Sequence, residues 1–362
     1  MTALDPAAFL PPTLADPLTT DGRTERWWVE HLDAHEQLIG RLDGIESGTL
    51  EQNANSTLRT GGTLEGVNLT HVNFGVDRLR VWWEVEGHGA WQLGTYLTTS
   101  DVTGYRATPE TVHTVTLIDK LSLLAETGPD GIFSLAAGTN RVQAMRAILD
   151  ALGERHVIDE HTDTLTTMFV AEHGATWLQI LNDLRPVTFW AMWTDSEGNF
   201  RSGVYTEPSA RPVVWSFEEG ETAIHMPEWE FDSRHSQIPN VSRIRNQPAE
   251  DADVLTSTVR NEDPASPTSI PSRGGREIMA DPEEVDLDTQ AALDAYNQTR
   301  LNTLSRLASL ASVSHFLIPI WHNDAVRLVS HGRSLSATVR SFSFALEVGC
   351  IVGAVWEVYQ DA

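Results

Sequence analysis

From Arg26 onward, short runs of alternating apolar and polar residues are separated by glycine-rich and polar turns, as in RWWVEHL, HEQLIGRL and GTLEQNANSTLRTGGTLEGVNL. Alternation with period two puts successive side chains on opposite faces, so each run predicts a half-buried strand. Their short, regular spacing predicts antiparallel ladders rather than parallel α/β units. The strongest example is DRLRVWWEVE followed by GHGAWQLGTYLTTSD. Leu79, Val81, Trp83 and Val85 share one face of the first strand, and Arg78, Arg80, Trp82 and Glu84 share the other. Alternation carried into the second strand groups Trp91 with Trp83 and Tyr96 with Trp82. Aromatics therefore stand on both faces, and the second face is expected to meet a neighbouring domain or subunit. TVHTVTLID continues the β pattern to about Asp119, where the period changes.

The middle of the chain mixes helix and strand. NRVQAMRAILDALG opens with Asn140 and Gln143 in capping positions, carries the stripe Val142, Met145, Leu149 and Leu152, and stops at Gly153. A second short helix is expected from Thr176, with Gln179 three positions on and Pro186 after its end. VTFWAMW and FRSGVY, joined by TDSEGN, read as a hairpin packed on these helices. PVVWSF and NVSRIRN restore strand character. Residues 248–288 then carry eleven acidic and three basic residues, five prolines and a GlyGly, which marks a loop-rich insertion. DLDTQAALDAYNQTRLNTLSRLASLAS is the longest expected helix, with Leu293, Tyr296, Leu304, Leu307 and Leu310 as core contacts. Strands resume in SHFLIPIW, AVRLVSH, LSATVRSFSFALEV and CIVGAVWEVY, the last two joined by a tight turn near Gly349.

Composition narrows the function classes. A chain of 362 residues exceeds one ordinary core, and 41% apolar content suffices for packed domains. The stretch from Phe342 to Tyr359 is broken by Glu347, Gly349, Gly353 and Glu357, so it reads as paired strands, not a membrane span. Residues 1–20, with four prolines and no usable period, read as an extended arm. The net charge of −26 argues against a surface built to hold DNA, which needs clustered Lys and Arg. Lys120 is the single lysine. One cysteine, Cys350, excludes an internal disulfide framework and a cysteine zinc site.

Candidate chemistry is thin. His156, Asp159, Glu160 and His161 form the densest ligand-like cluster, but histidines five apart share no face of a helix or strand, so a polar connector is the better reading. Asp195-Ser-Glu-Gly-Asn199 lacks the later glutamate of a calcium loop and reads as a hairpin turn. Neither a P-loop, nor a G-x-S-x-G elbow, nor a dinucleotide fingerprint occurs. No catalytic residue, cofactor or metal is assigned. Trp27-Trp28 and Trp82-Trp83 each contribute one inward and one outward ring; the outward rings keep open an alternative, a carbohydrate-binding, adhesin-like β protein of monomeric form.

The order of elements resembles the tail-hub proteins of tailed bacteriophages, the baseplate-hub or minor tail protein family. The stretches that carry the resemblance are GIESGTLEQNANSTLRTGGTL, WWEVEGHGAWQLGTYLTTSD, NRVQAMRAILDALG, ATWLQILNDLRPVTFWAMWTDSEGNFRSGVYTEP, IPNVSRIRNQPAEDADVLTSTVRNEDPASPTS and IPIWHNDAVRLVS. The resemblance implies a mostly β, α+β chain with two tail-tube-like antiparallel β-barrels and two smaller peripheral domains. It also implies a homotrimer whose ring meets a hexameric distal tail or tail tube protein above and further tail-tip proteins or fibres below, in the virion. Laid on the pattern, the first barrel spans 21–120, the peripheral α+β domain 121–212, the split second barrel 213–247 and 312–362, and the acidic insertion 248–311. The resemblance implies a structural role, with DNA passing through a lumen and no specific nucleic-acid binding. Trp82 and Tyr96 are the interface candidates, and Glu84, Glu86, Glu347 and Glu357 the candidates for a negative lumen wall.

Overall fold

The computed structural model describes residues 24–105, 110–233, 238–246, 254–285, 287, 289–306 and 309–361; the expected arm at 1–20 lies outside them. The first half contributes β1 (Glu25–Leu32), β2 (Leu38–Arg41), β3 (Ile45–Asn53), β4 (Thr60–Val67), β5 (Arg78–Val85), β6 (Gly89–Tyr105) and β7 (Thr111–Asp119). A helical unit follows, with α1 (Ser122–Glu126), β8 (Ser134–Leu135), α2 (Arg141–Ala151), β9 (His156–Ile158), β10 (Phe169–Val170), α3 (Trp177–Leu184), β11 (Trp193–Thr194) and β12 (Phe200–Ser202). Beyond it come β13 (Val213–Glu218), β14 (His225–Ser233), β15 (Val241–Asn246), β16 (Thr256–Arg260), β17 (Glu283–Val285) and α4 (Gln290–Arg306). The last strands are β18 (Ser309–Phe316), β19 (Ala325–Ser330), β20 (Arg333–Ala345) and β21 (Ile351–Asp361).

The chain is mostly β, as the alternation requires, and thirteen strands share one large, predominantly antiparallel sheet. Its path runs β14-β18-β21-β20-β3-β4-β7-β6-β5-β1-β2, with β19 also on β20 and β13 parallel to β19. Strands of the first and last thirds are therefore continuous through β20 and β3, from Ser341 opposite Asn53 to Ala345 opposite Thr49. Among the described residues the sheet is open, ending at β2, at β14 and, on its side branch, at β13. Closed, separate barrels are not what the ladders form. One apolar core serves both halves, drawing Val29, Leu50, Trp83 and Tyr96 together with Phe217, Val326, Phe342 and Trp356.

The helical unit has its own core. Asn140 accepts from the Gln143 amide at the start of α2, and Thr176 and Gln179 form a complete capping box on α3. Val142, Met145, Ile148 and Leu149 of α2 share one core with Leu178, Ile180, Leu181 and Leu184 of α3 and with Phe200. Leu152, expected inward, is exposed because α2 has already ended. Strand β15, expected with the second barrel, pairs instead with β16 and β17 and lies under α4. On α4 the buried positions are Leu293, Asn297 and Leu301, four apart on one stripe. Buried Asn297 donates to the Ser242 carbonyl and Ser257 hydroxyl, which ties α4 to β15 and β16. Leu310, expected on the helix, belongs to β18, and Leu307 lies outside the described residues.

Candidate assembly surface

The outward face of β1 and β5 is a cross-strand ladder. Arg26 lies opposite Glu84, Trp28 opposite Trp82, and Glu30 opposite Arg80. Trp28 and Trp82 stack with centroids 5.9 Å apart and planes 8° from parallel, and the Arg41 guanidinium lies 5.0 Å over Trp28. Trp82 thus stands on the outward face as the alternation requires, half-buried by its own chain. Its Nε1 is enclosed and has no hydrogen-bond partner among the described residues.

Tyr96 is a correction. It does not share the face of Trp82: it is fully buried in the same core as Trp83 and Trp91, and its hydroxyl donates to the Leu93 carbonyl at 2.8 Å. The cause is a bulge. Val81 faces Gly94 but Trp82 faces Gln92, so Leu93 is an extra residue and the side chains that follow it, Tyr96 among them, change face. Tyr96 consequently lies opposite Leu79, a core residue. Gly94 adopts φ +136° and a Cβ there would meet the Tyr96 ring at 2.5 Å, so only glycine admits both the bulge and the ring. A neighbouring subunit cannot reach Tyr96 without opening the core.

The four candidate acids fall in two places. Glu84 is paired with Arg26, whose hydrogen bond holds its carboxyl below the usual range, and Glu86 is exposed one turn-residue beyond β5. Glu347 is exposed in the turn before β21, near Gly349, whose amide donates to Glu25 Oε2 at 3.2 Å. The Trp83 indole donates to the same oxygen, so Glu25 ties the two hairpin ends together. Glu84, Glu86 and Glu347 therefore border one end of the molecule. Glu357 does not: it lies on β21 beside the β3–β4 turn, accepting from Asn55 and 3.7 Å from Arg340. At the free edge β2, Leu38 and Ile39 are 63% and 58% exposed, an apolar edge with unpaired backbone groups.

The helical unit is fixed to the sheet by buried polar groups that the sequence does not advertise. Lys120, fully buried, donates to Glu36 at 2.5 Å, to the Gly198 carbonyl at 2.9 Å, lies 2.8 Å from Glu154, and sits over the Phe200 ring. Arg78 bridges Glu36 and Glu154, and Arg155 also reaches Glu36. Burial opposes ionisation of Glu36, yet Lys120, Arg155 and Arg78 together hold its carboxyl below the ordinary value. Asp119, next in sequence, accepts from the amides of Arg59, Thr60 and Leu121 and from the Thr194 hydroxyl; burial raises its carboxyl nonetheless.

The ligand-like cluster of the sequence is dispersed. His156 pairs with Asp150, Asp159 accepts from the Val204 amide, Glu160 pairs with Arg146, and His161 accepts from the Asp163 amide. Among the described residues no group of three His, Cys, Asp or Glu side chains is disposed to hold a metal ion. Asp195 to Asn199 closes the β11–β12 hairpin, with Asn199 bonded back to Asp195.

No protein-family model and no curated protein matches the chain. Solved structures do. The tail protein from Neisseria meningitidis MC58 superposes with a TM-score of 0.64, at 13% identity over 92% of this chain and 96% of that one. The 43 kDa tail protein of prophage MuSo2 from Shewanella oneidensis gives 0.63 at 13% identity, over 92% and 98%. Prophage tail protein gp18 from Listeria monocytogenes EGD-e gives 0.56 at 9% identity, over 92% and 95%. This chain therefore has the fold of these tail proteins.

Proposed function

We propose that the chain is a structural tail-hub protein, three copies of which form a ring that continues or closes a phage tail tube and gives the genome its channel. The observation that carries the reading is the end-to-end correspondence with tail proteins: 92% of this chain matches 96% and 98% of two of them. The partition into two tube-like units (21–120, and 213–247 with 312–362), a peripheral unit at 121–212 and an insertion at 248–311 belongs to the same proposal, with β15 reassigned to the insertion and the start of β18 to the second tube-like unit. A ring of copies uses the open sheet edges, β2 with exposed Leu38 and Ile39 on one side and β14 on the other, because head-to-tail contacts of unlike edges close into a ring. Trp82 remains the interface candidate; Tyr96 does not.

Each chain carries a formal charge of −26, so a ring of three presents a strongly acidic wall that repels passing DNA. Glu86 and Glu347, both exposed at one end, are the better lumen candidates, since Glu84 and Glu357 each have an arginine neighbour. The role is structural, carried out in the virion with neighbouring tail proteins above and below. Negative-stain microscopy of the purified chain, with a solution mass, tests the reading: trimeric rings are expected, and a monodisperse monomer at high concentration that also fails to join tail assemblies sinks it. Reversal of charge at Glu86 and Glu347 is expected to slow genome ejection while leaving rings intact.

A further inference from the structure

A small cleft lies where the β3–β4 turn, the helical unit and the loop before β19 meet. Its wall includes Arg59, Trp190, Trp193, Arg211, Trp321 and His322, and its volume is about 70 Å³. At ~10–15 Å³ per water-sized group, that admits roughly five heavy atoms. Each guanidinium lies over an indole, Arg211 at 5.1 Å from Trp190 and Arg59 at 5.8 Å from Trp193. The loop is built to hold this wall. The Trp321 amide donates to Asp324 Oδ2, the His322 amide to Gln52 Oε1, and Asn323 takes the left-handed conformation at φ 67°. Arg211 Nη1 donates to the Asn323 carbonyl and its Nε to the Thr206 carbonyl.

The wall has more donors than acceptors. No described residue accepts a hydrogen bond from the Arg59 side chain. Asp119, the carboxylate nearest to it electrostatically, has both oxygens engaged by two donors each. Trp321 and His322 are 2% and 4% exposed, and neither Trp321 Nε1 nor His322 Nε2 has a partner among the described residues. Asn323 Nδ2 lies 3.2 Å from His322 Nδ1; with that amide donating, the proton of the neutral ring sits on Nε2 and makes that atom a donor as well. Burial, and then the charge of Arg59, keeps His322 neutral, while burial lowers Arg59 itself to about 10. The one carboxylate of the wall, Asp324, is occupied by the Trp321 amide and faces Arg211. Buried donors without acceptors are costly, and a native site that keeps several together is complete only with an acceptor between them.

We propose that this cleft binds a small oxyanion, a phosphate or carboxylate group, held by Arg59 and Arg211 with the ring donors of Trp321 and His322 behind them. The site stands independently of the assembly reading. Thermal unfolding of the full chain, titrated with inorganic phosphate, acetate or chloride at constant ionic strength, is the test. A saturable rise in Tm is expected with phosphate or acetate and none with chloride, and the two oxyanion titrations tell phosphate from carboxylate. Arg59→Met is expected to abolish the rise. Trp321→Phe retains an aromatic ring while removing the indole N–H and the pyrrole edge that carries it, and is expected to weaken the apparent affinity at least about fivefold. An equal response to all three anions overturns the site, as does an undiminished response in Arg59→Met. Should Arg59→Met not fold, unchanged affinity in Trp321→Phe overturns it.

Discussion

The helical unit meets the large sheet at two junctions of opposite electrical character. At the first, Lys120, Arg78 and Arg155 converge on Glu36 and Glu154, and each buried cation has a carboxylate within hydrogen-bonding reach. At the second, the ring N–H donors of Trp321 and His322 are buried with no acceptor among the described residues, beside the Arg59 guanidinium. Both junctions have a buried centre, and both are built from arginine and aromatic side chains. Paired charge makes the first a lock between units, since taking away one partner strands the others in low dielectric. Surplus donors make the second receptive, since an incoming acceptor completes bonds already positioned.

The largest effect expected is at the lock. Glu36→Ala leaves Lys120 buried without its closest carboxylate and is expected to cost about 3–5 kcal/mol of unfolding free energy, read by denaturant titration. A loss under ~1 kcal/mol would place this cluster with ordinary surface pairs and erase the contrast. Acid is expected to act next. His315, fully buried and held by burial at about 4, and His322, held well below its ordinary value, are neutral in the folded protein. Both folded values lie under the unfolded ~6.5, so their contribution is whole above that pH and is lost as the pH falls below it, for His315 down to about 4. For His315 it amounts to about 3 kcal/mol at most. Replacing His322 by Asn should flatten part of that decline, which separates the second junction from the sheet.

Smaller effects mark the two faces of the first hairpin. Tyr96→Phe removes one buried hydrogen bond, to the Leu93 carbonyl, and is expected to cost roughly 1 kcal/mol without changing oligomeric mass. Trp82→Ala loses the stack on Trp28, worth about 1 kcal/mol in the isolated chain, yet should reduce ring formation in a solution-mass measurement. Equal oligomer yields for these two variants would remove Trp82 from the interface.

Much of the architecture was legible because it rests on local rules. Alternation in β5 sorted Trp82 from Trp83 correctly, and the caps at Asn140 and Thr176 located α2 and α3. Tyr96 was misplaced because strict alternation was carried across Gly94, although a glycine inside a strand pattern is itself the signal of a bulge. NVSRIRN was correctly a strand, but its partners β16 and β17 follow only later in the chain, and no local pattern names them. The cleft was harder still. IPIWHNDAVRLVS was singled out as a stretch, yet nothing in it reveals that Arg59 and Arg211 come to lie against it.

The sequence by itself determined the strand-rich class, the helix caps, the acidic charge and the absence of a familiar catalytic motif, since each depends on neighbours within a few positions. The tertiary structure alone decided that β20 joins β3, that the single lysine is buried between two carboxylates, and which donors of the second junction go unanswered. Those outcomes bring together residues tens to hundreds of positions apart, and pairing of buried charge is a property of place, which composition does not record.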